Sequence, residues 1–131
     1  MELHLNVIGV LLIGLALLHT VFPRHFRWKE ELSGLSLLSR QIMYVHTLFI
    51  GLMIALMGVL CLTSSNDLTT TTLGKRVCLG MALFWTTRLL VQFFGYSSEL
   101  WRGKWVETTI HIVFSLLWLY LSVVFFIIWL A

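Results

Sequence analysis

Four long apolar runs, near residues 3–22, 41–62, 76–96 and 106–130, constrain this chain more than any other feature. Each is close to the roughly 20 residues that cross a bilayer as a helix. In hydrocarbon a segment must satisfy its own backbone, so runs of this length are read as transmembrane helices. Hydrophobic residues make up 59% of the 131 and charged residues only 11%, with a mean hydropathy of +0.92. A soluble domain of this size could not hide that much apolar surface. The predicted fold is all-α: an integral membrane up-down four-helix bundle, in one domain, with a short interfacial helix after the first span. Short connections make successive spans antiparallel neighbours. The net charge of +3 is therefore no sign of nucleic-acid binding.

Pro23 is expected to end the first span, because it has no N–H to continue the helix. Residues 24–39 place Phe26, Trp28, Leu32, Leu35 and Leu38 among charges, a pattern suited to an amphipathic helix at the interface, although Gly34 weakens it. The run 63–72 is rich in Ser, Asn, Asp and Thr and reads as a solvated loop, as does 97–105. Lysine and arginine set the orientation. Arg24, Arg27, Lys29 and Arg40 flank the first connection, and Arg102 and Lys104 lie in the third. Both connections are expected on the cytoplasmic side of an inner or plasma membrane, with the N- and C-termini outside. The first span is read as retained rather than as a cleavable signal, since its positive charge follows it. Trp101, Trp105 and Trp129 suit aromatic belts. Cys61 and Cys78 fit no zinc or dithiol motif and read as buried thiols.

The informative residues are polar ones inside the spans, where an ionisable group costs about 2.5–3.5 kcal/mol on insertion scales. His19, His46, Arg88, Gln92 and His111 all fall toward the cytoplasmic half. Glu107, His111, Ser115, Trp118 and Ser122 share one helical stripe; Arg88, Gln92 and Glu99 share another; Met43, His46, Ile50, Met53 and Met57 a third. Each has an ordinary reading as well. A histidine can hydrogen-bond to a neighbouring helix, Arg88 can snorkel or pair with Glu107 or Glu99, and methionines fill gaps in a core.

His46 and His111, at matching depth on the second and fourth spans, resemble the haem-ligating pair of membrane cytochromes b, whose histidines come from the second and fourth helices of a four-helix unit. The resemblance covers those two residues. It implies one b-type haem with His46 and His111 as axial ligands, Arg88, Gln92 and Arg40 among the cofactor-binding residues, and room beside Gly51, Gly95 and Ala16. The implied role is electron transfer or haem-dependent oxidation. A non-haem site for zinc, iron or copper is the alternative, built from His46, Glu107, His111 and His19. A third reading is a small transporter, proton relay or scaffold subunit, in which Arg88, Gln92, Glu107 and His111 bind an anion or pass protons. The expected partners are the lipid bilayer and either a second copy or a larger membrane complex. No phosphate loop, CxxC or HExxH motif is present, so any catalysis would depend on a cofactor.

Overall fold

The computed structural model describes residues 1–96, 100 and 102–131, and every described element is helical. In chain order these are α1 (Glu2–His25), α2 (Trp28–Glu31), α3 (Leu37–Thr63), α4 (Ser65–Thr70), α5 (Thr72–Phe94) and α6 (Trp105–Leu130). Helices α1, α3, α5 and α6 are long and apolar enough to cross a membrane. Their outward faces carry large apolar groups such as Leu48, Phe49, Val113 and Leu116, each more than half exposed, a surface suited to hydrocarbon rather than water. The chain divides into two compact units, Glu2–Ser65 and Asn66–Ala131.

In the first unit, α1 and α3 pack antiparallel on a seam of small residues. Gly9 and Gly58 face each other so closely that a Cβ on either would lie 2.9 Å from the other's carbonyl oxygen. Gly51 meets His19 Cβ and the Ala16 carbonyl in the same way, at 3.2 and 3.6 Å. Without a hydrophobic force between helices in lipid, such close approach is what provides van der Waals contact. Ile8, Leu12, Ile54 and Cys61 fill the seam between the glycines.

Two expectations change here. Pro23 lies inside α1, which runs on to His25. The residue removes one backbone bond, and the final turn forms without it. The interfacial helix is a single turn, α2, rather than the whole of 24–39. Arg27 before it adopts a left-handed conformation at φ 53, and Ser36 begins α3 by accepting a hydrogen bond from the Ser39 N–H. Trp28 of that turn is buried edge-on against Tyr44 of α3.

In the second unit the expected loop 63–72 contains α4. Its threonines bond back to backbone carbonyls, Thr70 to Asn66 and Thr71 to Asp67, and Thr71 then caps α5 through the Gly74 N–H. Gly74 is required for this turn, because a Cβ there would run into the Asp67 carbonyl and lie 2.6 Å from Leu68 Cα. Helices α5 and α6 pack antiparallel, with Met81, Ala82 and Trp85 against Trp118, Leu121 and Phe125. Cys61 and Cys78 are both buried, in agreement with the sequence reading.

Candidate polar site between α5 and α6

Helix α5 is the least hydropathic of the four long helices, at 1.5 against 2.3 to 2.5 for the others. Its polar excess in the last two turns is organised. Arg88 Nη1 donates to Gln92 Oε1 at 3.2 Å, one turn along α5, and Nη2 reaches Tyr96 Oη at 3.4 Å. Gln92 is buried, and its Nε2 lies 2.9 Å from His111 Nδ1 on α6. Arg88, Gln92 and His111 therefore form one chain across the helix pair.

The chain fixes its own proton positions. A guanidinium can only donate, so the atom facing it must be the amide oxygen. That orients the amide N–H groups toward His111, whose Nδ1 is then the acceptor, and the ring proton lies on Nε2. His111 is held from other sides as well: Ser115 donates to its carbonyl at 2.7 Å, and Phe93 meets the ring edge-on at 5.9 Å.

Below the guanidinium is an aromatic floor. Arg88 Cζ lies 5.0 Å from the Trp118 ring centre, and Trp118 stacks on Trp85 with planes 8° apart at 5.2 Å. Such cation–π contacts contribute about 0.5–2 kcal/mol, more where water is scarce. Both indole N–H groups are buried and have no hydrogen-bond partner among the described residues. Arg88 meets no carboxylate among the described residues. Glu107 is exposed in the first turn of α6 and forms no ion pair with it, while Glu99 and Trp101 lie outside the described residues. The expected Arg88–Glu107 pair is therefore absent. The result is a positive charge whose hydrogen-bond acceptors, Gln92 Oε1 and Tyr96 Oη, are neutral.

The remaining expected site residues are placed as follows. The α6 stripe is correct for Ser115, Trp118 and Ser122, all buried against α5, whereas Glu107 at its start is exposed. His46 belongs to the first unit and is exposed, as are Met43, Ile50 and Met53 of the same expected stripe. His19 is half-buried on α1, its Nδ1–H donated to the Leu15 carbonyl at 2.9 Å. Arg40 stands near Trp28 and Tyr44, with its Nε buried and without a partner. The small residues Ala16 and Gly51 serve the α1–α3 contact, and Gly95 caps α5. No group of three His, Cys, Asp or Glu side chains able to hold a metal occurs among the described residues. For iron at His111 Nε2, that nitrogen would need a lone pair and Nδ1 a proton, the reverse of what the Arg88-oriented amide provides. Sequence reasoning missed the Trp85–Trp118 stack. Trp85 is three residues before Arg88, a spacing that puts both on one face.

No family model, curated protein or solved structure matches the chain. No family is assigned. The chemistry of the site must speak for itself.

Proposed function

We propose that the protein is an integral membrane anion-binding subunit, a small transporter or relay component, whose central residue is Arg88. One observation carries the reading: a guanidinium in a helix long and apolar enough to cross a membrane, lying on an indole face, with no carboxylate and no acceptor for the two indole N–H groups among the described residues. Uncompensated charge in a low-dielectric setting costs several kcal/mol, and a bound anion offsets that cost. An arginine also presents N–H groups in a planar fork that matches a carboxylate or phosphate. Gln92 positions the guanidinium and links it to His111, so that binding at one end of the chain is felt as a change in hydrogen bonding at the other.

The same reading places the two helix pairs in an up-down four-helix bundle, with the basic first and third connections cytoplasmic and both termini outside. The lysine and arginine distribution supports that orientation. An acidic group of a lipid or an amphiphilic metabolite is then the natural occupant, since Arg88 lies within two turns of the end of α5.

The test uses the full chain in nanodiscs of zwitterionic lipid, titrated with lauryl phosphate. Saturable binding is expected, weakened about tenfold or more in Arg88→Gln and partly kept in Arg88→Lys. Equal binding by Arg88→Gln overturns the proposal. So does a Soret band in the purified protein that disappears in both His46→Ala and His111→Ala, which would establish the haem instead. Stoichiometric zinc, iron or copper lost in His111→Ala would establish the metal site.

A further inference from the structure

Along the α1–α3 pair runs an open groove of about 480 Å³, within the roughly 300–1,000 Å³ range of small-molecule sites. Its lining is polarised along its length. At one end lie Ala16, Leu52 and Ala55; at the other lie His19, Tyr44 and Thr47. From Tyr44 to Ala55 the α3 wall is about 16 Å long at the usual helical rise, close to half of a hydrocarbon core of roughly 30 Å. The groove is therefore about as long as one leaflet is thick, with its polar end toward the end of α1 and the start of α3.

The polar end is uncharged and has hydrogen-bonding capacity to spare. No Lys, Arg, Asp or Glu lines it. The Tyr44 and Thr47 hydroxyls make no hydrogen bond among the described residues. His19 donates its Nδ1–H to Leu15, which leaves Nε2 as an acceptor. Pro23 follows four residues later and supplies no N–H, so the His19 carbonyl also lacks its helical donor. Both donors and acceptors are thus available on facing helices, with no charged side chain in the lining itself.

We propose that this groove binds one molecule of a neutral, single-tailed lipid with a hydroxylated head, of the monoacylglycerol type. Hydroxyls on the head both give and accept hydrogen bonds, which matches Tyr44 and Thr47 as donors and His19 as acceptor. A carboxylate or phosphate head would surrender its hydration here without meeting a cation in the lining, since the Arg40 guanidinium stands on the other side of Tyr44 with Trp28. The lane between two helices takes one chain, and Ala16 and Ala55 keep its floor low.

The experiment is native mass spectrometry and competition binding on the full chain, with 1-monooleoylglycerol as the probe and oleate as the charged comparison. One bound monooleoylglycerol is expected. The double variant Tyr44→Phe with Thr47→Val, which removes two hydroxyls at nearly constant shape, should weaken it about tenfold. Ala55→Leu should shorten the tail channel and favour a shorter acyl chain, and Arg88→Gln should leave binding unchanged. That last variant separates failure of the groove from failure of the anion site. Unchanged affinity in the double variant overturns the proposal, as does oleate held equally well with the same dependence on Tyr44 and Thr47, or occupancy that follows Arg88. Circular dichroism of each variant confirms that the helices are intact.

Discussion

Gln92 is the residue on which the α5–α6 site turns, because it alone joins a guanidinium to an imidazole. Its replacement by leucine removes the acceptor of Arg88 Nη1 and the amide that meets His111 Nδ1. Stranding buried polar groups costs about 1–3 kcal/mol, against about 0.6 kcal/mol for an average membrane hydrogen bond. Gln92→Leu is therefore expected to lower the unfolding temperature in detergent by more than the loss of one bond implies. Gln92→Glu should bring a carboxylate to Arg88 and abolish anion binding while keeping the fold, as titration with lauryl phosphate would show. Glycines supply a sharper contrast. A methyl at Gly74 collides with the Asp67 backbone, so Gly74→Ala should destabilise by about 1–3 kcal/mol, the usual cost of overpacking. A methyl at Gly14 meets nothing within 4 Å, so Gly14→Ala should be neutral or gain about 0.5–1 kcal/mol from helix propensity. Thermal melts of the two variants under one condition decide this; equal shifts would contradict the close approach described for Gly74.

At the level of elements, the α1–α3 seam depends on two glycines in contact, so Gly58→Leu should force the helices apart and Gly9→Leu should do the same. A cysteine pair engineered across the seam should crosslink readily in the parent and poorly in either variant. The long helices were readable from sequence because hydropathy is a property of composition along a line, and their bounds agree to within a few residues. The short elements were not. The run 65–70 has the hydroxyl and amide residues of a loop, yet those hydroxyls bond to carbonyls one turn back and allow α4. Pro23 reads as a terminator, but near the end of a helix the bond it removes is one of few still to be made. Helical phase identified which residues share a face without showing which face meets a neighbour. That suffices for Ser115, Trp118 and Ser122, which are buried, and not for Met43, His46 and Ile50, which are exposed although Met43 and Ile50 share the helical phase of the buried Cys61. The link from Gln92 to His111 was only partly legible: depth suggested proximity, but the amide orientation follows from the guanidinium contact alone.

For the molecule as a whole, the orientation proposed from its basic connections has a direct check. Single cysteines at Lys29 and Lys104, in a Cys61→Ser/Cys78→Ser background, should react with a membrane-impermeant maleimide only after the cytoplasmic face is opened, and one at Asp67 should react beforehand. The opposite pattern would reverse the topology and leave the helix pairs as they are. Each pair closes its own seam, α1 on α3 and α5 on α6. For biogenesis this means the nascent chain can enter lipid in two instalments, the earlier hairpin already folded while the later one is still being translated. Co-expressed fragments covering residues 1–65 and 66–131 should then each insert and resist protease, so that the chain can be cut at the start of α4 without losing either half.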